Sequence, residues 1–432
     1  MRTSLALLLY LLCSCAPAPT VAQDAPRPGR NPFGKWDIQP ILAGQAWATY
    51  TTGQREFDAD QGRYVDVDDR LNFMFRRLRF GSTARVGERL FFKFLGAADF
   101  VGSDQRAATV GGVNNGAFPN LQVWDIYAQY RLSPRSEALY VIGGFLRPPL
   151  GRENMSGALG VSSFEKSFSQ WYIRQQATGT GPGGTGGVYL GGLASPREGV
   201  QLDYRGGVFN PQQNGISAGR RASSLFVGRL NLTVGDPERT TWAYGLATAN
   251  SFGRRRGVSL AVNASHEGAT GVSGGSTGLG VDWLVSLAHW HLEGEAYQFR
   301  RRPTDGALAD YTSTAFMVRT GFNLAVPGPE GAPARYLEPT AMVYGFRGAT
   351  TLADYPSVLA TGFFGGEETI VDVGLNYHLV PGRLRLGLHY VTFSGDRGEL
   401  PPDGRLSQAH FQPGIGGIER GNYLGFEVIM SR

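Results

Sequence analysis

Leu90-Phe91-Phe92-Lys93-Phe94-Leu95-Gly96-Ala97-Ala98-Asp99-Phe100 is the stretch that decides the fold class. Leu90, Phe92, Phe94, Gly96, Ala98 and Phe100 share one parity, while Phe91, Lys93, Leu95, Ala97 and Asp99 share the other. In a strand, alternate side chains point to opposite faces. One face of this run suits lipid and the other carries charge. The pattern returns near the far end, where Leu384, Leu386, Leu388 and Tyr390 interleave with Arg383, Arg385, Gly387 and His389. Runs of roughly ten residues with one lipid-compatible face predict an all-β, transmembrane antiparallel β-barrel.

The bulk numbers agree. With 62 Gly and 12% aromatic residues in 432, the chain reads as a turn-rich β protein. Its mean hydropathy of -0.19 is too polar for a bundle of membrane helices. Beyond the N-terminus no apolar run reaches the ~18 residues that such a helix needs. A barrel removes the conflict, because only every second wall residue must be apolar.

Residues 1–22 read as an export signal: Arg2, then the apolar Leu5 to Leu12, then Thr20-Val21-Ala22 as the cleavage site. In a rival reading, Leu12-Cys13-Ser14-Cys15 partly resembles a lipobox and Cys15 carries lipid. Cleavage after Ala22 removes both cysteines, and with them disulfide and thiol chemistry. Residues 23–36 form a Pro/Gly-rich periplasmic lead-in, and 37–432 the barrel.

Sixteen candidate strands follow, at 38–50, 71–85, 90–100, 121–132, 138–146, 187–193, 200–209, 223–234, 258–265, 278–288, 291–300, 313–324, 336–347, 369–379, 383–393 and 422–430. Trp242–Asn250 is a further candidate that parity argues against, because counting it as a crossing puts the tight turns of the second half outside. Gly235–Arg256 is therefore read as a long periplasmic connection with some strand character, and eighteen strands remain the alternative.

The two faces separate cleanly on most strands. Leu78 and Phe80 oppose Arg77 and Arg79; Trp124, Ile126, Ala128 and Tyr130 oppose Asp125, Gln129 and Arg131. Phe226, Leu230 and Leu232 oppose Arg229, Asn231 and Thr233; Phe316, Val318, Phe322 and Leu324 oppose Arg319 and Asn323. A charge on the lipid face near the midplane costs on the order of 2–4 kcal/mol, so the charged face must line the interior.

About forty residues lie between Leu146 and Gly187. A connection this long tends to be functional. Phe164, Phe168, Trp171, Tyr172 and Ile173 need burial, while Glu165, Lys166 and Arg174 need water. Folding inward against the lumen wall satisfies both, so this third loop is the candidate constriction. The rival is an outer loop packed on itself or on a neighbouring subunit.

Several stretches resemble the phosphate-selective porins of the O and P type. They are Arg76-Arg77-Leu78-Arg79-Phe80-Gly81, Asp125-Ile126-Tyr127-Ala128-Gln129-Tyr130 and Gly144-Phe145-Leu146-Arg147-Pro148-Pro149-Leu150. Ser162-Ser163-Phe164-Glu165-Lys166-Ser167, Gly207-Val208-Phe209-Asn210, Leu292-Glu293-Gly294-Glu295-Ala296-Tyr297 and Gly374-Leu375-Asn376-Tyr377-His378 follow in order. The resemblance implies a sixteen-stranded outer-membrane barrel, commonly a homotrimer, with an inward third loop and an arginine-lined, anion-preferring pore. The chain departs from that family in holding only Lys35, Lys93 and Lys166 as lysines, which speaks against a lysine-rich phosphate trap.

The net charge of +5 is thus almost all arginine. The arginines are spread singly along strands, unlike a nucleic-acid patch. Candidate pore-lining cations are Arg77, Arg79, Lys93, Arg229, Arg319 and Arg385, joined by Arg147, Glu165, Lys166 and Arg174 of the third loop. Arginine offers a planar fork of donors suited to phosphate and carboxylate. The competing reading pairs these cations with Asp99, Asp125, Glu293, Asp372 and Glu427 in a structural lattice.

The expected function is passive diffusion of small hydrophilic solutes with an anion bias, with outer-membrane lipid as the surroundings. No enzyme activity, cofactor or metal is expected. Gly271-Val272-Ser273-Gly274-Gly275 lacks the helix of a nucleophile elbow, and Gly179, Gly181 and Gly184 lack a dinucleotide frame. His289, His291 and Glu293 are read as strand-end residues, and Asp58, Asp60, Asp66, Asp68 and Asp69 as a solvated acidic loop. The alternative function is a structural or adhesion barrel with a closed lumen, acting through Gly348–Glu367 and Ser394–Arg420.

Overall fold

The computed structural model describes residues 36–58, 60–102, 121–212, 222–328, 334–400 and 418–431, so the export signal and most of the lead-in lie outside the described residues. Its wall strands are β1 (Trp36–Thr52), β2 (Arg70–Val86), β3 (Leu90–Val101), β4 (Leu121–Arg131), β5 (Tyr140–Leu146), β6 (Thr185–Arg197), β7 (Val200–Phe209) and β8 (Leu225–Gly235). The wall continues with β9 (Arg256–Glu267), β10 (Gly275–Leu287), β11 (Trp290–Arg302), β12 (Tyr311–Phe322, prolonged by Leu324–Val326), β13 (Arg335–Arg347), β14 (Glu367–Val380), β15 (Leu384–Asp396) and β16 (Asn422–Ser431).

Each wall strand pairs antiparallel with the next, and β16 pairs with β1 from Ala43↔Ser431 to Thr52↔Asn422. The result is a closed barrel of sixteen strands. Closure leaves no row of unpaired backbone groups, which hydrocarbon would not tolerate. Residues 236–255 contain no strand, so the eighteen-strand alternative does not hold.

β9 shows why the sequence folds this way. Exposed and buried positions alternate along its whole length. Val258, Leu260 and Val262 point out, while Ser259, Asn263 and Ser265 point in. β8 behaves alike, with Phe226, Leu230 and Leu232 outward and Arg229, Asn231 and Thr233 inward.

β2 to β4 break the alternation. Between β1 and β2 the register shifts at Gln45/Ala46, which pair with Arg77 and Phe75 and leave Arg76 as an extra residue. Across β2 and β3 the register holds, with Arg77 facing Asp99 and Phe75 facing Val101, so Arg76 and Phe100 lie opposite each other, and Phe100 takes φ 62°. Between β3 and β4 Leu95 faces Asp125 and Gly96 faces Val123, so Trp124 is skipped. A β-bulge of this kind re-aims the side chains around it. Arg76 joins Arg77 on the inner face, and Trp124 joins Asp125. Strict alternation places Phe100 and Trp124 toward lipid; the left-handed backbone at Phe100 and the bulge at Trp124 turn both inward.

The third loop enters the barrel as expected. It holds α1 (Arg152–Met155), a 3₁₀ turn at Ala158–Gly160 and α2 (Ser169–Thr178). α2 stops at Gly179, whose φ of 70° suits the left-handed cap and whose N–H donates to the Gln175 carbonyl at 3.2 Å. The fully buried Arg301 of β11 also donates to the Gln175 and Gln176 carbonyls, at 2.8 and 3.1 Å. Tyr172 stacks on Phe346 at 3.8 Å and Phe164 on Trp47 at 4.3 Å. The loop at 348–366, with α3 (Tyr355–Ala360), brings Phe363 down onto Tyr172 and Phe299.

A second segment enters from the opposite, short-turn end. Residues 236–255 run into the lumen instead of lying outside it. Trp242 stacks on Tyr140 at 4.9 Å and is 2% exposed. Asn250 donates to Glu338 at 2.9 Å on the far wall. The two inserted segments meet where the Leu246 N–H donates to the Met155 carbonyl at 3.2 Å and Arg152 pairs with Glu238 at 2.6 Å.

Candidate functional site: a cationic cavity beside the third loop

A cavity of about 570 Å³ lies between the third loop and the wall of β1 to β4. Its wall side comes from Arg76, Arg77 and Arg79 of β2, Lys93, Asp99 and Phe100 of β3, and Trp124 and Asp125 of β4. The loop side brings Arg147, Glu165, Lys166, Phe168, Trp171 and Arg174. Seven basic side chains therefore meet three acidic ones.

The wall cations are paired. Glu165 accepts from Arg76 Nε at 2.6 Å and from Arg77, which also donates to Gln45 at 2.6 Å. Arg79 pairs with Asp99, and Lys93 with Asp125 at 3.0 Å. Glu165 thus ties the loop to the bulge. Burial would raise its carboxyl, but Arg76 and Arg77 overcome that and hold it at about 2.

The loop cations differ. Among the described residues, Lys166 Nζ donates only to the Glu153 and Ser156 carbonyls, the latter at 2.9 Å. Burial pushes its ammonium well below the usual value, against the pull of Glu153 and with the push of Arg174 and Arg147. Arg147 Nη1 donates to the Asn154 carbonyl at 2.8 Å, and Arg174 Nε to Asn154 Oδ1 at 2.9 Å. Burial and Arg147 lower Arg174 to about 9, which leaves it charged at neutral pH.

Seven of the ten candidates from the sequence, Arg77, Arg79, Lys93, Arg147, Glu165, Lys166 and Arg174, thus gather at one cavity. Arg229, Arg319 and Arg385 do not line it. Each is buried in an ion pair elsewhere in the lumen. Arg229 binds Asp282 through two bonds at 2.7 and 3.1 Å. Arg319, with no exposed surface, donates to Glu153 at 2.7 Å and Glu293 at 2.6 Å. Arg385 donates to Glu427 at 2.6 Å and to the Val161 carbonyl of the loop. Arg319 and Arg385 thereby anchor the third loop. Asp372 does the same by accepting the Phe164 N–H at 2.7 Å, while His389 holds it from the side at 2.7 Å.

The sequence reading missed Arg76, Phe100 and Trp124 as cavity residues, because a bulge leaves no mark on strict alternation. Arg76-Arg77 was the available signal: two adjacent charges cannot both face away from lipid without one. His289, His291 and Glu293 do not converge, and no group of three potential metal ligands occurs among the described residues.

The fold is that of the porins. Salmonella typhi OmpF, solved in complex with daunomycin, superposes with a TM-score of 0.51 at 10% identity, over 93% of this chain and 98% of that one. An anion-selective porin from Comamonas acidovorans gives 0.48 at 10% identity, over 92% and 99%. The outer membrane protein OmpT of Vibrio cholerae gives 0.48 at 9%, over 92% and 98%. No family model matches the sequence, and no curated protein does. The architecture is that of a Gram-negative outer-membrane barrel, with the porin-type inward third loop.

Proposed function

We propose that the protein is a passive outer-membrane channel for small hydrophilic solutes that prefers anions, and that its path runs through the cavity between the third loop and β1 to β4. The observation that carries this reading is the excess of basic over acidic side chains around that cavity. A narrow, low-dielectric passage lined by one sign of charge concentrates the opposite ion. The resemblance to phosphate-selective porins adds phosphate as a candidate solute and a homotrimer as the assembly. Light scattering of the detergent-solubilised protein checks the trimer.

The test is the reversal potential of purified protein in a planar bilayer across a potassium chloride gradient. An anion-directed potential is expected. A cation-directed potential overturns the reading. A second reading, a structural barrel with a closed lumen, is favoured by the meeting of the two inserted segments at Leu246 and Met155. Folded protein without conductance would establish it in place of the channel. Of the surfaces that alternative would use, the loop at 348–366 turns Tyr355, Val358 and Phe363 inward and leaves Leu352 and Leu359 exposed, and residues 401–417 lie outside the described residues.

A further inference from the structure

Lys166 is held by the Glu153 and Ser156 carbonyls, and the other six cations around the cavity fall into two sets. Arg76, Arg77, Arg79 and Lys93 each have a carboxylate within salt-bridge distance. Arg147 and Arg174 have none among the described residues. Their partners are neutral: the Asn154 carbonyl and side chain, and the Gly181 carbonyl at 3.3 Å. The Nη2 atom of each makes no hydrogen bond among the described residues.

Both guanidiniums lie beside one aromatic ring. The Trp124 centroid is 5.8 Å from Cζ of Arg147, 5.9 Å from that of Arg174 and 4.5 Å from that of Arg79. Phe100, Phe168 and Trp171 line the same cavity. Cations near an indole face are attracted by its quadrupole, and a planar guanidinium presents a fork that matches a carboxylate. A compact inorganic anion would use the donors and leave the aromatic lining idle. An anion with a planar charged head and a flat apolar body uses both.

We propose that this cavity binds and passes aryl carboxylates, with the carboxylate held by Arg147 and Arg174 and the ring packed against Trp124. The proposal rests on the anion-channel reading and narrows it to a solute class. The Trp124 bulge is what makes the site, since the regular strand would put that indole in lipid.

The experiment measures block of chloride current through single channels of the full-length protein by benzoate, acetate and phosphate in turn. Benzoate is expected to half-block at roughly a tenth of the acetate concentration, the added aromatic packing supplying the difference. Trp124→Leu is expected to raise the half-blocking benzoate concentration about tenfold relative to acetate, and Arg174→Gln to raise it for both acids. Comparing the acids on the unaltered protein needs no variant to fold. Equal block by benzoate and acetate in an anion-directed channel overturns the aryl-acid assignment and leaves the channel reading standing. Strongest block by phosphate also overturns it and gives the site to phosphate. A cation-directed potential, or no current, overturns both.

Discussion

The arc from β2 to β4 and the arc from β8 to β12 are built from the same kind of strand and have different fates. In the second arc the alternation is nearly unbroken, and the inward charges close on one another: Arg229 with Asp282, Arg319 with Glu293. The third loop is anchored to that arc through Arg319 and Arg301. In the first arc two bulges, at Arg76 and Trp124, and the left-handed backbone of Phe100 add inward residues, and a cavity stays between wall and loop. The regular wall serves as a seat, and the irregular wall as a lining. Charge on the inner face is common to both, so charge alone does not mark the cavity. What marks it is the place where parity fails.

The largest expected effect comes from breaking the seat. Arg319→Leu leaves Glu153 and Glu293 buried without their cation, and removing one partner of a buried pair typically costs about 3–5 kcal/mol. The expected result is a lower unfolding temperature, read by circular dichroism in detergent, with noisier conductance as the third loop loosens. An unchanged Tm would mean that the loop is held mainly by its apolar contacts.

Trp242→Ala is next. Emptying a buried tryptophan site costs about 3–5 kcal/mol where the surroundings cannot collapse. Here the loss falls on an inserted segment, so part of it appears as local release instead of global unfolding. Single-channel conductance is expected to rise as residues 236–255 leave the lumen. Unchanged conductance would show that this segment does not limit the path.

Acidification sharpens the comparison on the lining side. The Glu165 carboxyl is depressed to about 2 in the folded protein from an ordinary value near 4.5. The sign follows from linkage: its contribution is fully present above about pH 4.5 and is lost as pH falls toward 2. A change in conductance is expected within that window. Glu165→Gln should reduce it, the remainder coming from Glu238, which burial would raise but Arg152 holds at about 2. The smallest effect is expected at the long-loop rim, where Arg55 pairs with Glu419 at 3.1 Å and with Asp66 at 3.4 Å on an exposed hairpin. Arg55→Ala should alter stability by no more than about 1 kcal/mol, read by the same thermal melt.

Much of this was legible in the sequence. Periodicity gave the strands, parity of the short turns gave sixteen, and the need to bury Phe164 and Tyr172 put the third loop inside. The lining was only half legible. Arg77 and Arg79 follow alternation, whereas Trp124 lies inside because one residue was inserted opposite Leu95 and Gly96. The entry of residues 236–255 had a weaker signal. Trp242, Tyr244 and Leu246 alternate like a strand, but what they bury against is a set of side chains from β5, β7 and the third loop, remote in sequence. Local pattern cannot report such partners.

The third loop is also tied to the seam between β1 and β16. That seam joins the two ends of the chain, the pairing with the greatest separation along it and hence the slowest to find. Glu427, on the last strand, accepts from Gln45 across the seam at 2.7 Å and from Arg385, which itself holds Val161 of the third loop. Glu427 therefore couples closure of the barrel to the seating of the third loop.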